Sequence, residues 1–300
     1  MLHTDGDLSL RAAFIDKVKT LLFLGVHAGS FLVFFVPFSW KLVLVLLLSY
    51  AVRMFAITAG YHRYFSHRTY RTSRLFQFVL AFLGLTAGQK GPLWWASHHR
   101  RHHLHSDTEQ DIHSVKQHGF WHAHVGWILD SGLEEVDYSN VKDLKKYPEL
   151  VFLDKYYYIG PLTLLAFFLI LGQVATALNP QTVFTPLALT AWGFFLGTTC
   201  LYHGTFFINS LCHMIGKQRY PTGDESRNSF LMALICLGEG WHNNHHYYPA
   251  SERQGFYWWE IDITHLGLKA LEKLGLVWDL KTPPRNIIEI GQSCYSPQKQ

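Results

Sequence analysis

The chain is short of charge. Only 16% of its 300 residues are Asp, Glu, Lys or Arg, and 49% are apolar; about 25% charged residues is usual for a soluble domain. So little polar surface cannot cover a water-exposed globule, and part of the surface is expected to meet lipid. The net charge of +4 is mild and no long Lys/Arg block occurs, which argues against nucleic acid as a partner. Cysteine is scarce as well. Cys200, Cys212, Cys236 and Cys294 form no C-x-x-C pair, so neither an iron–sulfur cluster nor a disulfide framework is expected, and a reducing, cytoplasm-facing setting fits. The sequence also lacks a G-x-G-x-x-G dinucleotide motif and a C-x-x-C-H haem-attachment motif. Asp5, Asp7 and Asp16 precede the first apolar run, unlike a cleaved signal peptide.

What the chain does have is long apolar runs. Two near the start, about 20–36 and 42–59, are joined by a short link, and two more, about 157–178 and 184–201, are joined by another. A membrane-spanning helix needs about 20 mainly apolar residues, so four spans in two helical hairpins are expected. The apolar stretch Leu75–Thr86 is too short to span and suits an interfacial or buried helix. Lys and Arg number twelve in 60–156, nine from residue 210 onward and three in the N-terminal tail, against one, Lys41, at the hairpin tips. Positive residues mark the cytoplasmic side, so both termini and the polar segments are expected there. Arg53, inside the second run, reads as a side chain snorkelling to the cytoplasmic edge, with a polar lining role as the alternative. The expected architecture is an all-α integral membrane protein, a single domain over 1–300. Its four spans carry a helical cytoplasmic cap built from about 60–156 and 202–300.

Histidine is abundant, with 19 copies, and it is clustered. His62 and His67 begin where the second span ends. His98-His99-Arg-Arg-His102-His103 and His242-Asn-Asn-His245-His246 follow later. In the last two, His99/His102/His103 and His242/His245/His246 stand at i, i+3 and i+4, on one face of a helix, where they can converge on one or two metal ions. The spacing of His62 and His67 fits an irregular last helical turn. Isolated histidines such as His3, His27, His118 and His265 read as surface or satisfied buried residues. Grouped rings would repel when protonated, whereas neutral imidazoles are good metal ligands. The clusters lack cysteine, so a thiolate zinc site is not expected, and their number exceeds one tetrahedral ion. Ligand type leaves iron, copper, nickel and zinc open.

In this order, and set between two hairpins, H-x4-H, H-x2-H-H and H-x2-H-H resemble the membrane fatty acyl desaturases, in particular the stearoyl-CoA (Δ9) desaturase-like branch with its bacterial and cyanobacterial relatives. The resemblance runs from the second span to about residue 280 and includes Gly238-Glu-Gly-Trp-His-Asn-Asn-His-His. It implies a non-haem centre of two iron ions that uses O2 to remove two hydrogens from a long-chain acyl group. The implied ligands are His62, His67, His99, His102, His103, His242, His245 and His246. The family pattern adds a water-holding asparagine and a ninth histidine after the fourth span; Asn209 and His213 supply both, at i and i+4. Asp107, Glu109, Asp111, His113 and Glu239 are candidates for orienting ligand rings. His98 and His105 match no ligand position, and Asn243 and Asn244 read as helix spacers. Where animal acyl-CoA members place Arg-Asp before the second box, this sequence has Ser97-His98, so the acyl carrier is open between CoA, acyl carrier protein and a glycerolipid.

No redox module accompanies the boxes, and no fused cytochrome b5 is expected. An external ferredoxin, rubredoxin or cytochrome b5-like donor, with its reductase, should dock on the basic cytoplasmic face. An acyl or alkane hydroxylase of the same architecture is the alternative. A His-rich metal transporter fits less well, because His27 and Arg53 are nearly all the spans offer in ionisable groups.

Overall fold

A computed structural model describes the backbone of residues 5–130 and 135–295 and the side chains of 17–130 and 135–294; His3 lies outside these. Helix α1 (Asp5–Ser30) runs on through a 3-10 turn at Phe31–Phe35. Ser39 starts α2 (Trp40–Phe55), its hydroxyl accepting the Lys41 N–H at 3.3 Å. The same helix then widens without a break into a π-helix over Ala56–Ser66. A long helix, Ile159–Leu178, follows further along the chain. After it, Pro186–Leu189, a π-helical Thr190–Leu196 and Gly197–Asn209 continue end to end.

Three of these segments, Lys17–Phe35, Trp40–Ser66 and Ile159–Leu178, are long and apolar enough to cross a membrane. Their outer faces carry Leu21, Leu22, Phe31, Phe34, Leu44, Leu47, Leu48, Leu162, Phe167 and Ile170, all exposed. A surface of this kind is stable against lipid and not against water. The fourth expected span falls in Pro186–Asn209, which is not among the three. It is the inner helix, packed on α1, α2 and Ile159–Leu178, with Trp192, Phe194, Thr198 and Leu201 buried. A helix that faces protein needs less apolar surface than one that faces lipid, and its threonines, glycines and His203 dilute the pattern.

Arg53 corrects the reading from sequence. It does not snorkel: it is 2% exposed and bonds the Ser49 carbonyl (2.9 Å), the Thr198 hydroxyl (2.7 Å) and the Gly193 carbonyl (3.2 Å). Gly197 makes the space, since a Cβ there would lie 2.6 Å from the guanidinium. The arginine joins α2 to the inner helix.

The polar half is built around the end of α2. Helix α3 (Arg74–Leu85) starts at Ser73, whose hydroxyl accepts the Phe76 N–H at 3.1 Å. It buries Leu80, Ala81 and Leu85 against the π-helix while Leu75 and Phe78 stay exposed. Helix α4 (Pro92–His105) begins with proline at its first turn, where the missing N–H costs nothing. Its next two N–H groups donate to one oxygen of Asp154, each at 2.9 Å, so the helix Pro148–Lys155 fixes where α4 starts. Strands β1 (Arg71–Thr72) and β2 (Val277–Trp278) pair antiparallel and tie the segment after α2 to the C-terminal part of the chain. Tyr61, Phe65, Leu80, Leu85, Leu93, Leu144, Leu150 and Leu201 form one core beneath the histidines.

Candidate metal centre

The π-helix explains the five-residue spacing of the first histidine pair. Its hydrogen bonds run from i to i+5, and the His67 N–H donates to the His62 carbonyl at 3.3 Å. The two rings then stand 5.0 Å apart, centre to centre. The other two boxes lie on α4 and on His242–Tyr247. Sequence reading placed each trio on one face and left open whether it meets one ion or two. The structure wedges each helix between two clusters and divides its trio.

His62, His67, His99, His103 and His245 meet in one cluster, and His102, His213, His242 and His246 in the other. On each box helix the i, i+4 pair goes to one cluster and the i+3 ring to the other. In the first cluster, Nε2 atoms face one another: His62 and His245 at 2.9 Å, His67 and His99 at 2.8 Å, His99 and His103 at 3.0 Å, His103 and His245 at 3.0 Å. In the second, Nε2 of His213 and of His242 are 3.0 Å apart. The clusters adjoin, with the His103 and His246 rings 4.5 Å apart.

Behind the rings stand carboxylates. His213 Nδ1 donates to Asp107 at 2.9 Å and His246 Nδ1 to Asp224 at 2.6 Å. His102 Nδ1 lies 3.2 Å from Asp111, and His62 Nδ1 pairs with Glu239. A ring that donates through Nδ1 turns the lone pair of Nε2 towards the cluster. Lone pairs from several neutral rings thus point at one another, which is repulsive unless a cation sits between them. Burial and the neighbouring rings hold His67, His99, His103, His242 and His245 well below the ordinary histidine range, and His246 down at about 4. These rings are neutral at pH 7, the form that ligates metal. Nε2 of His246 is buried without a hydrogen-bond partner. Donor type, protonation and the orphaned nitrogen all fit two adjoining metal ions.

The family model for fatty acid desaturases matches residues 38–280, a stretch that contains both clusters. The chain belongs to the fatty acid desaturase family. It is 38% identical to the sn-1 stearoyl-lipid 9-desaturase of Anabaena variabilis over 89% of this chain and 94% of that one. It is 38% identical to the icosanoyl-CoA 5-desaturase of Limnanthes douglasii, over 90% of this chain and 72% of the other. The Δ9 acyl-lipid desaturase 1 of Arabidopsis thaliana is 36% identical over 90% of this chain and 84% of its own.

Several site residues of this desaturase-family chain stand otherwise than the sequence indicated. Asn209 is half-buried at the last position of its helix, and His213 sits beyond it in a 3-10 turn, Leu211–His213. The two do not share an α-helical face, because the break at Ser210 turns His213 towards His242. Of the candidate orienting residues, Asp107, Asp111 and Glu239 back ligand-type rings, and His113 lies beside His102, their ring centres 4.5 Å apart. Glu109 is exposed and orients nothing. His98 stacks on Trp94 and bonds its carbonyl at 2.9 Å, while His105 is half-buried and outside both clusters.

Asn243 and Asn244 are more than spacers. Fully buried, Asn243 accepts the N–H groups of Arg219 and Tyr220 at 2.7 Å each. Asn244 bonds Asn228 at 2.7 Å and Glu260 at 2.9 Å. They peg the short box helix to the loops on either side. Asp224 was missed, because a lone aspartate in the loop Thr222-Gly-Asp-Glu gives no sign that it will meet a histidine. Arg63 was missed too. Buried to 1% exposure, it holds Glu239 and Asp262 at 3.0 Å and Glu252 at 3.3 Å. Burial pushes the Glu239 carboxyl up, but His62 and Arg63 reverse that and keep it below its ordinary value, so it remains an acceptor for the His62 ring.

Proposed function

We propose that this chain is an O2-dependent desaturase that holds two iron ions and introduces a cis double bond, at Δ9, into a saturated long-chain acyl lipid or thioester. The observation that carries this reading is the division of the three histidine boxes between two adjoining clusters of neutral imidazoles, in a chain of this family. His62, His67, His99, His103 and His245 hold one ion. His102, His213, His242 and His246 hold the other, with Asn209 contributing through a water. The ions supply the capacity to break unactivated C–H bonds with O2.

The protein's own part is placement. A methylene pair offers no polar handle, so the choice of carbons rests on how the apolar chain is held. Asp107, Asp111, Asp224 and Glu239 fix ring orientation and tautomer from behind. Arg63 offsets the negative charge that Glu239, Asp262 and Glu252 would otherwise gather beside the first cluster. Ser97 presents no charge to a carrier. Ser97 bonds the Asp137 backbone at 3.3 Å through its hydroxyl, and His98 is stacked on Trp94. Relatives named for lipid and for CoA substrates match comparably well, and both carriers stay within the proposal.

The topology proposed is four spans, with Pro186–Asn209 supplying the fourth, one domain, and termini and centre on the cytoplasmic face. The distribution of Lys and Arg supports that orientation. Electrons come from an external ferredoxin, rubredoxin or cytochrome b5-like protein that docks on this basic face.

Expression in a desaturase-deficient host, followed by gas chromatography with double-bond location, tests the reading. A new monounsaturated acid with its bond at Δ9 is expected. Hydroxylated chains would replace the reading with the hydroxylase one, and an unchanged profile from iron-loaded protein would end it. Purified chain given NAD(P)H alone should not turn over; full activity there would remove the external donor.

A further inference from the structure

A second set of histidines lies outside the metal centre and forms a single file. His27, on α1, donates from Nδ1 to the Phe23 carbonyl at 2.7 Å, and its Nε2 meets Nε2 of His203 at 3.2 Å. Nδ1 of His203 meets Nε2 of His124 at 3.0 Å, and Nδ1 of His124 meets the Ser210 hydroxyl at 3.0 Å. That hydroxyl donates in turn to the Phe206 carbonyl at 2.9 Å. Both ends are carbonyls, which only accept.

Counting protons exposes the property of interest. The file contains five hydrogen bonds and each needs one proton. Three neutral imidazoles bring one each and the serine brings one, so the neutral file is one proton short. A single added proton completes every bond. Shifting protons within the existing bonds then places the charge on His27, His203 or His124 without turning a ring. Three unconnected histidines would behave differently, each taking a proton of its own.

The surroundings leave that proton mobile within the file. Phe23 and Tyr202 lie against His27, Phe206 beside His203, and Phe120, Phe206 and Phe207 against His124. Tyr202 is the titratable group among these. His122, on the same short helix as His124, turns away to the Ile112 carbonyl at 3.0 Å. No ion pair joins any of the three rings among the described residues, so no fixed charge traps the proton. Burial holds His124 below the ordinary histidine range, so a proton there passes on readily. The file ends at Ser210, which is fully buried; its backbone carbonyl, separate from the hydroxyl in the file, accepts the backbone N–H of His213 at 3.2 Å.

We propose that His27, His203, His124 and Ser210 bind a single shared proton as one unit, which links α1 to the inner helix and to the segment His122–Gly126. Because carbonyls close both ends, the proton moves within the file and is not handed on to the metal centre.

The test uses the iron-loaded full chain with His27→Gln and with the double variant His27→Gln/His124→Gln. A carboxamide at 27 donates to His203 and satisfies the file without an extra proton. Acid–base titration between about pH 8 and pH 5, where histidine changes charge, is run without substrate. The single variant is expected to take up one proton fewer than wild type, and the double variant also one fewer. Two protons lost in the double variant, or an uptake unchanged in the single one, would each overturn the shared proton.

Discussion

Two groups of histidines meet nitrogen to nitrogen in this molecule, at nearly the same distances, and they are built for different ends. In the metal centre, rings converge: each of four has a carboxylate behind it, and several Nε2 lone pairs point inward. In the His27–His203–His124 file, rings stand in line, no carboxylate among the described residues touches them, and carbonyls close both ends. The first arrangement is unfavourable until a cation fills it. The second lacks only a proton. What separates them is the partner on the far nitrogen, because that partner fixes the tautomer and so decides whether the near nitrogen offers a lone pair or a hydrogen.

The strongest way to break the comparison is to remove converging rings. His99→Ala and His246→Ala are expected to abolish turnover and lower bound iron, one from each cluster. His118→Ala, at an exposed site, should change neither, since surface substitutions stay within about ±0.5 kcal/mol. Iron content by elemental analysis and product by gas chromatography decide the matter. Equal activity in all three variants would remove the site assignment, and a single lost ion in each of the first two would sharpen it.

The boxes were legible because metal ligands sit at short, regular spacings that helices translate into proximity. The division of each trio was not, because i, i+3 and i+4 share a face from outside, and only the second cluster's position shows that the face straddles two points. The His62–His67 spacing signalled irregularity, but a π-helix cannot be told from a frayed end by one interval. The lipid-facing helices were read from their apolar runs, and the inner one is less apolar because its surface meets protein. Arg53 was misread for a related reason: its partners are the Thr198 hydroxyl and the carbonyls of Ser49 and Gly193, which leave no trace in charge pattern. His27 was read as unremarkable and His124 and His203 were not singled out at all, since a file assembled from three distant segments has no spacing to detect.

Acid should separate the two regions next. The His246 ring is held at about 4, against about 6.5 for an unperturbed histidine. As the pH falls, the unfolded chain takes up that proton first, so acid favours the unfolded state. The contribution is whole above about pH 6.5 and is lost as the pH falls towards 4. For a shift of this size it amounts to roughly 3 kcal/mol. His113, held at about 3 by burial and the His102 ring, adds in the same direction. Metal-free protein should therefore show a falling thermal midpoint across this window, and His246→Gln should make the fall shallower without removing it, since the other buried rings contribute in the same direction. A midpoint independent of pH between 7 and 4 would mean the rings are not held neutral by the fold.

The smallest effect expected is also the most specific. Asp224→Asn keeps the shape of the group that receives the His246 Nδ1 proton at 2.6 Å but removes its charge, and Asp111→Asn does the same beside His102. Loss of such a partner lowers metal affinity by about 10–100-fold, or about 1.4–2.7 kcal/mol, because the ring becomes a weaker base and freer to turn. Glu109→Gln, two residues from Asp111 in sequence but exposed, should leave affinity unchanged. Competition for iron against a chelator of known strength measures all three variants. Were Glu109→Gln to weaken binding as much as Asp111→Asn, the effect would be the net charge of the loop. A difference between them assigns it to contact with the ring, which is what distinguishes the converging histidines from those that stand in file.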